Sequence, residues 1–310
     1  MVNKIHNKSS EDKDNLISDF SNFISKERNL SEMTVRNYRN DLIQFNNYLG
    51  SNDIKIQNTS NSEIRIYISN LIEKNYSRKS IYRKITSIKS FYNYLSRNKL
   101  IEKNPTEIIV RPKQNFSLPI VISPTDITKL LDSPDISKPL EIRNKTIMEL
   151  IYGSGLRLSE ISGLNIEDLD LENKSGIVKG KGSRYRTIFF GEIAQKWLYI
   201  YIKDVRIKLN KNYSNALWLN RSGKKLSSRS IQHMIKKYVI KSNLDPSIHT
   251  HSLRHSYATH MLDGGADLRY LQELLGHQSP NTTQIYTHIS TQKSRDVYLA
   301  SHPRAKKFDK

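Results

Sequence analysis

The chain of 310 residues contains no cysteine. Disulfides, thiolate nucleophiles and cysteine-ligated zinc are therefore excluded, and a reducing compartment fits. No run approaches the roughly 18 consecutive apolar residues that a membrane span needs. The first thirty residues are polar and charged and hold no stretch resembling a secretory signal. These absences predict a soluble, cytoplasmic protein with no membrane partner. Negative charge is scarce too: Asp and Glu total 30 against 50 Lys and Arg, a formal charge of +20. Such a surplus says nothing about fold, but it suits a protein that neutralises a polyanion, with DNA or RNA as the default.

What is present divides in two. The length suits two domains of ordinary size. Residues 1–13 read as a polar, disordered start. Leu16, Ile17, Phe20, Phe23 and Ile24 then recur at helical spacing. Ser31 reads as the N-cap of a second helix carrying Val35, Tyr38, Leu42, Phe45 and Leu49. Ile64, Tyr67, Ile68, Leu71 and Ile72 suggest a third. A fourth, from about Ser77 to Asn98, sets Ile81, Ile85, Ile88, Phe91, Tyr92 and Leu95 against a face of Arg78, Lys79, Tyr82, Arg83, Lys84 and Lys89. No acidic residue occurs between Arg78 and Lys99. A solvated face usually mixes signs, so this one is read as contacting phosphates.

Asn104-Pro105, Arg111-Pro112 and Leu118-Pro119 break the periodicity, and residues 104–122 read as a linker. The expected domains are residues 14–110, which bind DNA, and residues 123–310, which carry the chemistry. The second opens at Ser123-Pro124, a serine cap with proline in the first turn. Residues 141–152 look like a buried helix interrupted by Gly153-Ser154-Gly155. Ile177-Val178 and Thr187-Ile188-Phe189-Phe190 read as short strands joined through Gly180-Lys181-Gly182. A helix is expected over Arg229–Ile240, and more from His251 onward.

The stretch His249-Thr-His-Ser-Leu-Arg-His255, with Leu275-Gly-His-Gln278 and Tyr286, holds hydrogen-bond donors and no carboxylate. His251 and Arg254 stand three apart and share one side of a helix. Donors beside a phenol suit an anion whose charge grows during reaction, a phosphodiester with Tyr286 as nucleophile. His251 and His255 also have the spacing of a zinc pair. The glutamate of the metalloprotease motif is absent, however, and Arg254 would repel a cation, so neither metal nor other cofactor is expected.

Gly155-Leu-Arg157-Leu-Ser-Glu160, Gly180-Lys181-Gly182, His251-Ser-Leu-Arg254-His255, Leu275-Gly-His277 and Thr283-Gln-Ile-Tyr286-Thr-His resemble the ordered motifs of the tyrosine recombinases, the phage-integrase family. The bacterial XerC/XerD group is the nearest, and the likeness extends to the His302-Pro-Arg-Ala305 tail. The resemblance implies a mainly α, two-domain C-shaped clamp. An N-terminal SAM-like core-binding bundle would precede a mixed α/β catalytic domain with a small antiparallel sheet. It implies Arg157, Lys181, His251, Arg254, His277 and Tyr286 as the catalytic set, with Glu160 in support. Arg157, Arg254 and His277 would hold the non-bridging oxygens, His251 accept the tyrosine proton, and Lys181 protonate the leaving 5′-oxygen. It implies double-stranded DNA at a specific recombination site, a homo- or heterotetramer with a second recombinase, a Holliday junction, resolution of chromosome dimers and a DNA translocase as a further partner. Residues 291–310 would dock on a neighbouring protomer. An integrase of a phage or mobile element, a type IB topoisomerase and a DNA-binding protein that no longer cuts are the alternatives. The compact amino-terminal domain, lacking an added arm-binding module, favours the Xer group over a phage integrase.

Overall fold

In a computed structural model the chain divides into two compact units, residues 1–117 and 118–310. The structure describes residues 5–28, 30–110, 120–180, 185–211, 213–276 and 291–305.

Among the described residues, four α-helices build the first unit: α1 (Ile5–Lys26), α2 (Glu32–Gly50), α3 (Asn61–Glu73) and α4 (Arg78–Arg97). Serines start three of them. The side chains of Ser31, Ser60 and Ser77 accept backbone N–H groups that would otherwise lack a partner in the first turn. The apolar positions spaced three and four apart converge. Phe20, Ile24, Phe45, Leu49, Tyr67, Leu71, Phe91 and Tyr92 form one core, each side chain contributing on the order of 1.5–3 kcal/mol by leaving water. Two expectations are corrected here. Helix α1 begins at Ile5 instead of near residue 14, because extending an established helix adds one hydrogen bond per residue even where side chains are polar. And residues 104–109, read as linker, belong to the bundle. Asn104 and Thr106 are buried and bonded to one another, Asn61 donates to the Pro105 carbonyl, and Ile109 joins the core. The helix ends at Arg97, ahead of Pro105, and the chain stays on the core as far as Ile109.

The second unit surrounds α6 (Pro139–Ser154), in which every residue from Arg143 to Ser154 is buried. Its polar side chains are satisfied inside: Arg143 by the Leu219 carbonyl, Asn144 by Tyr238, Lys145 by Asp132, and Glu149 by Arg304. The helix α5 (Pro124–Leu131) precedes it, capped by Ser123. After it come α7 (Leu158–Gly163) and a three-stranded antiparallel sheet in the order β1 (Leu169–Asp170), β2 (Ser175–Lys179), β3 (Tyr185–Phe189). Val178 lies opposite Arg186 and Lys179 opposite Tyr185. The chain continues through α8 (Glu192–Ile200), a π-helical turn over Tyr201–Arg206 and α9 (Ile207–Leu209). It then runs through α10 (Ser228–Lys241), α11 (Thr250–Asp263), α12 (Leu268–Leu275) and α13 (Thr291–Ser301).

Within the chain, residues 291–305 pack against the second unit's own core. Tyr298 on α13 is fully buried and donates to the Gly153 carbonyl at 2.9 Å. The His302 ring stacks on it at 5.3 Å, and Arg304 donates to Glu149 at 2.7 Å.

Candidate active site

Two glycines set the frame. Helix α6 ends at Gly155, where φ is +59°, a left-handed conformation natural to glycine. A β-carbon there would come within 2.5 Å of the Tyr257 ring. Helix α12 ends likewise at Gly276, φ +62°, where a β-carbon would meet Arg186 at 2.9 Å. Both helix ends thus come close to α11 and β3, and their last carbonyls face basic side chains.

Between them lies Glu160, on the first turn of α7, its side chain wholly removed from solvent. Oε1 accepts from Arg157 Nη1 at 2.8 Å and from Arg186 Nε at 3.3 Å. Oε2 accepts from the Arg157 backbone at 2.8 Å and from Arg186 Nη2 at 2.8 Å, with Arg254 Nη1 3.7 Å away. The same three guanidiniums cap α12. Arg186 donates to the Leu274 carbonyl, Arg254 to Leu275 at 2.7 Å, and Arg157 to Gly276 at 3.3 Å. Carbonyls at a helix C-terminus lack intrahelical partners and carry the negative end of the helix dipole, so cations suit them. Arg254 also donates to the Gly155 carbonyl.

The electrostatics follow. Burial raises the Glu160 pKa, but hydrogen bonds from Arg186 and Arg157 outweigh it and hold the carboxyl below its ordinary range. Burial, with Arg157 and Arg186 nearby, pushes Arg254 down to about 10, and it stays cationic at neutral pH. A guanidinium has five N–H donors. On Arg157 and Arg254 alike, described residues hold two of them. Arg157 is the more open, its side chain 32% exposed against 9% for Arg254. An anion arriving there meets two anchored cations, each with three donors not taken up by the described residues.

Of the residues singled out from sequence, the structure gathers Arg157, Glu160 and Arg254. His251 lies on α11 with Arg254, is exposed, and sets its ring 5.9 Å from that of His249. Lys181, His277 and Tyr286 lie outside the described residues. Sequence reasoning missed Arg186. Its signal was available: in a strand, residues 186 and 188 share a face, and Ile188 is core, so a charge at 186 had to be paired inside.

On the first unit, Arg78 and Lys79 of α4 are exposed, and Tyr82 and Arg83 half-buried. Lys84 is the exception to its expected face. It is 4% exposed and turns inward to Asp41 at 2.9 Å and to Gln44. Its position on α4 points at α2 because a buried carboxylate waits there.

Compared with known proteins, residues 121–293 match the family described as "Phage integrase family" and residues 17–99 its "N-terminal SAM-like domain". The chain is 39% identical to the tyrosine recombinase XerC of Oceanobacillus iheyensis, over 93% of this chain and 96% of that one. It is 40% identical to the tyrosine recombinase XerD of Staphylococcus epidermidis, over 94% and 99%. Among solved structures, XerH recombinase bound to a palindromic difH substrate matches with a TM-score of 0.68 at 22% identity, covering 91% of this chain and 84% of that one. The Tn1549 transposon integrase bound to circular-intermediate DNA matches equally, 0.68 at 22%, covering 91% and 98%. At that identity the two structures speak to the fold.

Proposed function

This chain belongs to the phage integrase family of tyrosine recombinases, and on that premise we propose that it cuts and rejoins double-stranded DNA at a specific site, resolving chromosome dimers in the manner of the Xer group. The observation that carries the reading is the arginine pair Arg157 and Arg254, anchored by one buried carboxylate and by the end of α12.

In this reading Tyr286 attacks the scissile phosphorus. The new bond joins its phenolic oxygen to the 3′-phosphate, and the bond to the 5′-oxygen breaks. His251 takes the phenol proton, and Lys181 gives one to the departing 5′-oxygen. A phenol with an ordinary pKa of about 10 needs such a base at neutral pH. One ester replaces another, so religation by a 5′-hydroxyl needs no ATP. Extra negative charge gathers on the non-bridging oxygens at the transition state. Arg157 and Arg254 meet it with charge-assisted hydrogen bonds already in place, joined by His277. Arg78, Lys79 and Tyr82 on α4 track the phosphate backbone, with Arg83 shared between DNA and Asp41. Assembly is a tetramer, of this chain alone or with a second recombinase, in the cytoplasm, and a DNA translocase is a further partner.

The test is a nicked suicide duplex, from which the cut strand end diffuses away. A covalent protein–DNA adduct is expected without Mg²⁺ and is lost in Tyr286→Phe. An adduct that persists in that variant would reassign the nucleophile, and relaxation of supercoils without strand exchange would favour a topoisomerase.

A further inference from the structure

Three successive carbonyls close helix α12, and each takes one guanidinium: Leu274 takes Arg186, Leu275 takes Arg254 and Gly276 takes Arg157. The same three side chains converge on Glu160. Arg157 and Arg254 have a stated part in the chemistry. Arg186 has none, yet it makes the most complete contact with Glu160, giving Nε to one oxygen and Nη2 to the other. It is also the second residue of β3, the strand that follows the segment holding Lys181, and α12 is the helix that leads to His277.

We infer that Arg186 is a positioning residue for phosphoryl transfer: it occupies Glu160 so that Arg157 and Arg254 keep donors for the phosphate, and it keeps the cluster cationic. The inference rests on the recombinase reading of this site. Without Arg186, each oxygen of a fully buried carboxylate would keep a single donor, both from Arg157: Nη1 on Oε1 and the backbone N–H on Oε2. Arg254, now 3.7 Å from Oε2, would be drawn to it and away from an incoming anion. Charge changes as well. Three guanidiniums against one carboxylate leave two net positive charges, which match a phosphodiester whose charge grows toward minus two at the transition state. Removal of Arg186 leaves one. Arginine suits the position because its planar fork meets both carboxylate oxygens while its third nitrogen reaches the helix end, which a lysine cannot do.

The experiment uses the full-length protein and a nicked suicide duplex carrying a site selected with the wild-type protein. A second duplex is identical but has a methylphosphonate at the scissile position, removing one anionic oxygen. Single-turnover adduct formation is measured at saturating protein. Arg186→Met is expected to slow cleavage of the phosphodiester about 10- to 100-fold, the range seen when the outer partner of a functional group is lost, with DNA affinity unchanged. On the methylphosphonate the gap between variant and wild type narrows, because less negative charge remains to be met. A purely architectural arginine would slow both substrates alike. Equal losses on the two, or wild-type cleavage by Arg186→Met, would overturn the inference. Should Arg186→Met lose its cooperative thermal transition, Arg186→Gln, which also removes the charge but keeps polar contacts, replaces it, with the same narrowing expected and the same equal loss overturning. Tyr286→Phe separates the two levels. An adduct surviving in that variant sinks the recombinase reading and this inference with it. Normal dependence on Tyr286, with cleavage indifferent to Arg186, sinks only the inference.

Discussion

Asp41 in the first unit and Glu160 in the second are both nearly fully buried carboxylates, and each gathers basic side chains from another helix or strand. Around Asp41 stand Lys84, Arg83 and the Ser87 hydroxyl, all from α4. The Lys84 ammonium also bonds Gln44 and lies over the Tyr76 ring, 5.5 Å from its centre. An ammonium has three donors, and this one is closed in. The contact ties α2 to α4 and has nothing to offer a ligand. Around Glu160 the cations are guanidiniums, whose fixed forks bond the carboxylate with one edge and keep donors on the other. The same motif therefore ends as a strut in one place and as a primed anion site in the other. What separates them is one closed-in ammonium and one guanidinium in the first against three guanidiniums, and one more net positive charge, in the second.

The largest effect should come from removing the hub of the second cluster. Glu160→Ala leaves three guanidiniums facing one another with no counter-charge. A loss of about 3–5 kcal/mol is expected, the usual consequence of stranding buried charge. Both tryptophans, Trp197 and Trp218, lie in the second unit, so their fluorescence in urea reports its unfolding. Adduct formation on the suicide duplex should fall with it. A Glu160→Ala protein of wild-type stability would mean that the arginines do not depend on the carboxylate, unlike Lys84 on Asp41.

The matching change in the first unit should cost about 3 kcal/mol and spare the chemistry. Asp41→Ala strands Lys84, so far-UV circular dichroism should show the bundle melting early while tryptophan fluorescence holds. The double variant Asp41→Asn with Lys84→Met removes donor and acceptor charge together and should recover most of the loss, since a buried pair replaced as a unit is often neutral. Its cleavage rate should match wild type. A double variant that folds but cleaves slowly would give Lys84 a role beyond the strut.

The comparison also shows where sequence was readable. The limits of α4 followed from the apolar spacing, which is local, and the structure adds the Ser77 cap. The inward turn of Lys84 was not readable, because its cause, Asp41, is 43 residues away on another helix. Basic residues along one helix face look alike until the opposing face is known. The same holds for Arg186, whose partners at Glu160 and Leu274 are 26 and 88 residues distant. Arg157, Glu160 and Arg254 were found through the resemblance of their motifs, and the structure adds why they meet: two glycine-terminated helices that bring carbonyls to one place. Proline density over residues 104–122 marks an end to helical periodicity, but it does not tell that residues 104–109 stay on the core.

The smallest predicted effect bears on the difference between the two faces of α4. Each lysine or arginine that neutralises a phosphate adds about 0.9 to the slope of log affinity against log salt. Binding of a fluorescent duplex, followed by anisotropy between about 50 and 200 mM salt, measures that slope. Arg78→Ala and Lys79→Ala, on the exposed side, should each lower it by about one. Lys84→Met should leave it alone, because a charge closed in by Asp41 and Gln44 releases no counterion. Arg83→Ala should fall between, its side chain being 38% exposed yet bonded to Asp41. If Lys84→Met flattened the slope as much as Lys79→Ala, the buried pair would have to open on DNA, and the strut at Asp41 would be a switch.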